Sequence, residues 1–270
     1  MRALFKLIRK PFFGPYEVPW RWPEGVDPGA WERVEFDSET GSRLVGLFGR
    51  AEGAAKGAVL CSHPVHREAK GYFLKRGHAD VLRRAGYNVL VWDLNGFGES
   101  PHGNLRLQLD SLAAGKKLAE LSPGLRVALY GLSAGASYGL CSFSREDHPF
   151  SAAVLEACFT SLDEYWRRYR FPSAVLRAAS ALMPGVAAGI KPIEQIKRVV
   201  GTPALLFIHG EKDSHTPPSM GERLMAASSL PRDRMSMWVV PDAKHNGALD
   251  VAGDEYWRRV LEFLARELAR

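Results

Sequence analysis

The chain is 270 residues long, 46% hydrophobic and 24% charged. That composition excludes a disordered chain and leaves room for one large α/β domain. Lys and Arg number 36 against 30 acidic residues, a net +6, but the cations come in ones and twos, as in Arg83-Arg84, Arg167-Arg168 and Arg258-Arg259. Such scattered pairs read as solvated helix faces and argue against nucleic acid as a partner.

Cys61, Cys141 and Cys158 lie in apolar stretches at no metal-like spacing. Free buried thiols in a reducing compartment are the simplest reading, which points to the cytoplasm. No apolar run reaches the ~18 residues of a membrane span; the nearest, 178–190, is broken by Pro184 and two glycines. Arg2, Lys6, Arg9 and Lys10 interrupt the N-terminal apolar residues before a secretory core can form.

Residues 1–30 differ from the rest. Pro11, Pro15, Pro19, Pro23 and Pro28, with Trp20 and Trp22, forbid a long helix or a central strand. The segment reads as an extended arm with its aromatics packed on the body. Within it, Leu4, Phe5, Leu7, Ile8, Phe12 and Phe13 alternate with four cations, a pattern that also suits weak contact with a membrane surface. The docked arm is the preferred reading, because Pro11 leaves any helix too short for firm membrane binding.

The remainder, 31–270, takes on a regular rhythm. Residues 31–37 and 43–50 alternate with period two around Thr40-Gly41-Ser42, which predicts an antiparallel hairpin. Short apolar runs at 57–62, 87–92, 125–130, 152–156, 203–209 and 235–240 predict buried strands. Helical spacing predicts helices at 70–85, 105–121, from Ser133 onward, and 254–269. The last has an apolar stripe of Trp257, Val260, Leu261, Leu264 and Leu268. Strands alternating with helices predict an α/β fold with a mostly parallel sheet covered on both faces, and ligands bind beyond the carboxyl ends of such strands. Residues 159–200, with Tyr165, Trp166, Tyr169, Phe171, Leu182 and Met183, read as a small helical lid inserted over those ends.

Gly131-Leu132-Ser133-Ala134-Gly135 stands between a predicted strand and a predicted helix. In that context G-x-S-x-G is a sharp turn that lifts a serine hydroxyl above the sheet edge, with glycines where a Cβ would clash. A serine needs a base, and the base needs an orienting acid. Asp213 follows the strand at 203–209, and His245 follows the strand at 235–240, so both join Ser133 at one end of a parallel sheet. Glu156, ending another strand, is a second candidate acid. His63 and His66 are weaker candidates for the base, His209 reads as support for the loop of the acid, His215 as a residue lining the pocket, and Cys158 as a buried spectator.

With Ser62-His63-Pro64 and Asp93-Leu94-Asn95-Gly96-Phe97-Gly98-Glu99-Ser100, these segments resemble the α/β-hydrolase family, near its serine aminopeptidase-like and Bem46-like members. The resemblance runs from about residue 31 to the C-terminus. It implies an α/β-hydrolase fold and a Ser133–His245–Asp213 triad, with no cofactor or metal. It also implies that His63 braces the oxyanion loop and that Asp93 ties down the glycine turn. Where the family has His-Gly, this chain has His63-Pro64. Proline has no N–H, so the oxyanion donors become Val65 and Ala134. The implied activity is hydrolysis of a small acyl substrate, an ester or thioester given the aromatic lid. A peptidase or amidase of the same fold, and a non-catalytic binding protein on this scaffold, are the alternatives.

Overall fold

A computed structural model describes residues 9, 10, 12–167, 174, 176–178, 181, 182 and 184–269. Its sheet has eight strands: β1 (Glu32–Asp37), β2 (Arg43–Gly49), β3 (Gly57–Ser62), β4 (Tyr87–Trp92), β5 (Val127–Leu132), β6 (Phe150–Glu156), β7 (Ala204–Gly210) and β8 (Met235–Val240). Their spatial order is β1-β2-β4-β3-β5-β6-β7-β8. The hairpin β1–β2 and the pair β2–β4 are antiparallel, and every later pairing is parallel. This is the α/β-hydrolase architecture.

Burial explains the strands. Every residue of β3, β4, β5 and β7 is buried, as continuous apolar runs covered on both faces require. β1 alternates instead, because it is an edge with one face on the core. The helices are α1 (Gly71–Lys75), α2 (His78–Arg84), α3 (Leu107–Leu121), α4 (Ala134–Ser142), α5 (Leu162–Tyr165), α6 (Pro184–Gly189), α7 (Pro192–Gln195), α8 (Pro218–Ala227), α9 (Ala248–Ala252) and α10 (Asp254–Leu268). On one face Leu60, Leu129 and Phe207 meet Leu118, Tyr138 and Leu224 of α3, α4 and α8. On the other, Val59, Tyr130 and Ile208 meet Phe73, Leu82, Val260 and Leu264 of α1, α2 and α10.

Several sequence expectations shift. The helix expected over 70–85 is two, because Gly77 takes a left-handed φ of 71° and restarts the chain as α2. The strand expected at 125–130 begins at Val127, since Leu125 N–H closes a turn onto Ser122. The stripe of α10 is rotated: Tyr256 and Phe263 are buried, whereas Trp257 and Leu261 are only half-buried. Helices α8 and α9 carry few buried apolar residues, and periodicity does not reveal them.

The described part of the N-terminal segment lies on the body. Arg9 donates to Asn95 Oδ1 and to the Asn95 backbone oxygen at 2.5 and 2.7 Å. Phe12 and Phe13 are buried, edge-on to Trp166 and Phe97 respectively. The residues before Arg9, and Pro11, lie outside the described part, as do Tyr169, Phe171 and Met183 of the expected lid. Among the described residues, no helix is long and apolar enough to cross a membrane.

Candidate active site

Ser133 sits in the turn from β5 to α4 at φ 52° and ψ −112°, a conformation that costs a side-chain-bearing residue free energy and that only its surroundings can hold. Gly131 and Gly135 make the turn feasible. A Cβ on Gly131 would lie 2.7 Å from Ala136 N, and one on Gly135 would lie 1.9 Å from Ser62 O. The second figure also shows how closely the loop after β3 approaches the start of α4. Backbone bonds fix the strained serine from both sides: its N–H donates to Glu156 O at 2.8 Å, and Ser137 N–H donates to its carbonyl at 2.9 Å.

The register brings the other two residues beside it. Leu132 pairs with Glu156, Glu156 with Ile208, and Gly210 with Val240, so the loops after β5, β7 and β8 leave one edge of the sheet together. Ser133 Oγ lies 2.9 Å from His245 Nε2, and His245 Nδ1 lies 2.8 Å from Asp213 Oδ2. A carboxylate can only accept, so the proton of His245 belongs on Nδ1 and the Nε2 lone pair faces the serine hydroxyl.

Asp213 is nearly inaccessible and heavily solvated by protein donors. Its Oδ1 accepts His215 N–H and Thr216 N–H at 2.8 and 2.9 Å, and its Oδ2 accepts the Thr216 hydroxyl at 2.5 Å. Burial alone would raise this carboxyl, but the hydrogen bond and charge of His245 and the bonds from Thr216 outweigh it and hold the group well below the usual carboxylate range. Thr216 was not evident from sequence. Its hydroxyl also lies 3.1 Å from His245 Nδ1, and its carbonyl accepts His209 Nδ1–H at 3.0 Å. The only trace in the sequence is the spacing Asp213-Ser214-His215-Thr216, in which the aspartate accepts from the backbone two and three residues on.

The other candidates have different work. His63 is buried; it takes Leu94 N–H on Nε2 at 3.1 Å and gives Nδ1–H to Pro64 O at 2.6 Å. Both ring nitrogens are committed, and burial pushes the imidazole toward its neutral form. That ties the loop after β4 to the loop carrying Val65, which is half-buried and packed against the first core face. Ala134 is the first residue of α4, where a helix leaves N–H groups without an intrahelical acceptor. Asp93 accepts Lys70 N–H and Nζ and Glu99 N–H, and a Cβ on Gly98 would lie 2.4 Å from its carboxylate. His66 lies edge-on to Tyr72, with ring centres 5.4 Å apart. Glu156 gives its carboxylate to Tyr256 and Ala248, whereas His245 takes Asp213. The three thiols are free and buried; burial pushes Cys158 up to about 12.

Aromatic rings lie beside His245. The Tyr165 ring lies 5.8 Å from His245 and 5.6 Å from both His215 and Trp166. Arg223 grips Glu164 beside Tyr165 through two bonds of 3.1 and 3.0 Å, tying α5 to α8.

Residues 108–270 match the prolyl oligopeptidase family, peptidase S9, a span that holds Ser133, Asp213 and His245 but not Val65. YfhR of Escherichia coli K12 is 27% identical over 252 residues, 90% of this chain and 84% of that protein. Protein bem46 of Schizosaccharomyces pombe is 24% identical over 198 residues, 70% of this chain and 63% of that one. Among solved structures, the Pyrococcus furiosus esterase Pf2001 superposes with a TM-score of 0.72 at 21% identity, covering 93% of this chain and 98% of that chain. A likeness at that identity speaks for the fold.

Proposed function

The chain belongs to the prolyl oligopeptidase family and is a serine hydrolase of the α/β-hydrolase fold; from that premise we propose that it cleaves carboxylic esters or thioesters through an acyl-enzyme on Ser133. The observation that carries the proposal is the unbroken line from Ser133 Oγ through the two nitrogens of His245 to Asp213, with contacts of 2.9 and 2.8 Å. His245 Nε2 takes the hydroxyl proton as Ser133 attacks the carbonyl carbon. The developing oxyanion is held by Ala134 N–H and Val65 N–H. Asp213 keeps the proton on Nδ1 and stabilises the imidazolium. His245 then protonates the leaving group, and a water activated by the same nitrogen releases the acyl group.

The ring of Tyr165 beside His245, with Trp166 edge-on to Tyr165, favours an apolar acyl or aryl group over a charged one. An amide or peptide substrate is the second reading, supported by the family match itself. A ladder of p-nitrophenyl esters run beside aminoacyl p-nitroanilides separates the two. The proposal predicts ester turnover lost in Ser133→Ala and an optimum at some acyl length. Anilide cleavage at rates equal to or above those of every ester would overturn the ester assignment while leaving the nucleophile intact.

A further inference from the structure

Glu156 ends β6 directly behind the elbow and is 2% exposed. Its backbone carbonyl accepts Ser133 N–H at 2.8 Å. Its side chain accepts the Tyr256 hydroxyl at 2.6 Å and Ala248 N–H at 3.3 Å. Ala248 opens α9, three residues beyond His245, and the Tyr256 hydroxyl lies 2.8 Å from that of Tyr130, on the strand that leads into the elbow. One residue therefore touches the backbone of the nucleophile and the segment that carries the base.

We propose that Glu156 is a positioning residue for His245: its carboxylate holds the start of α9 while its backbone carbonyl holds Ser133 N–H, and its charge favours the imidazolium that forms as the serine gives up its proton. The inference rests on Ser133 and His245 acting as nucleophile and base. A buried carboxyl is costly where an amide of the same shape would also fill the space. The groups facing it explain what the charge does. Burial pushes it up to about 7, and Asp250 on α9 adds repulsion; Tyr256 on α10, Ala248 N–H and the charge of His245 pull toward the carboxylate. Tyr130 on β5 and Tyr72 on α1 complete the shell and stay neutral, both raised by burial. Because attraction between two groups is reciprocal, an ionised Glu156 is worth most when His245 is protonated, which is when the reaction needs it.

The test is the rate of fluorophosphonate labelling between about pH 5 and about pH 9, with Ser133→Ala as the blank. Wild type should rise over a range broader than a one-proton curve. Glu156→Gln should give a one-proton rise displaced to lower pH by about half a unit or more, with a plateau roughly three- to tenfold lower. Tyr256→Phe keeps the carboxyl but removes a donor to its charged form, so the upper part of its rise, where Glu156 ionises, should move to higher pH. A folded Glu156→Gln with a profile superimposable on wild type overturns the inference. If that variant does not fold, an unshifted Tyr256→Phe profile overturns it instead. Labelling that survives in Ser133→Ala, or its absence in wild type, would instead bring down the assignment of the nucleophile on which the inference stands.

Discussion

Asp213 and Glu156 leave neighbouring strands at the same edge of the sheet, both almost inaccessible to water, and their carboxyls are driven in opposite directions. Asp213 accepts four close donors: two backbone N–H groups, the Thr216 hydroxyl and His245 Nδ1–H. Glu156 accepts two, one of them at 3.3 Å. Desolvation opposes charge at both sites, so the number and quality of donors decide the sign. Asp213 is held ionised far below neutrality, while Glu156 is pushed up to about 7. Burial by itself does not decide whether a carboxyl is charged; the donors around it do.

Breaking the Asp213 side of this contrast should have the largest effect. Asp213→Asn leaves the shape but lets His245 present the wrong tautomer, and kcat should fall about 10⁴-fold in a steady-state ester assay. Thr216→Val removes the shortest bond to that carboxylate. A hydrogen bond to a charged group contributes about 1.5–3 kcal/mol, so kcat/KM should fall roughly 10- to 100-fold and recover in Thr216→Ser. The two carboxyls should also bend stability in opposite ways with pH. Asp213, depressed in the fold, contributes stability that is present above its unfolded value near 3.8 and is lost as the pH falls below it. Glu156, raised from 4.5 to about 7, costs stability as the pH climbs through that window. Thermal unfolding followed across it should show a decline in Tm that flattens in Glu156→Gln and persists in Asp213→Asn. The smallest effect is expected for Tyr256→Phe, about 1 kcal/mol of unfolding free energy at neutral pH by denaturant titration.

The parallel strands were legible because each is an apolar run buried on both faces, and the three site residues because each follows such a run. What escaped did so for physical reasons. The apolar spacing of 70–85 continues through Gly77, so nothing local announces the left-handed break. Both Tyr256 with Phe263 and Trp257 with Leu261 give α10 an apolar stripe, and only the packed sheet decides between them. Thr216 is an ordinary loop residue until the turn folds around Asp213. The Tyr256–Glu156 bond spans 100 residues, and the Arg9–Asn95 bond spans 86, so no window along the chain contains either. The departure at Pro64 was visible, and the structure adds that His63 fastens that loop to the one after β4 through Leu94.

The central claim is that Ser133 is an activated nucleophile. The direct measurement is reaction with a fluorophosphonate followed by peptide mapping of the adduct. A single modified peptide is expected, carrying the label on Ser133, that disappears in Ser133→Ala and is formed far more slowly in Asp213→Asn. A label on another residue, or equal labelling of the three proteins, would contradict it.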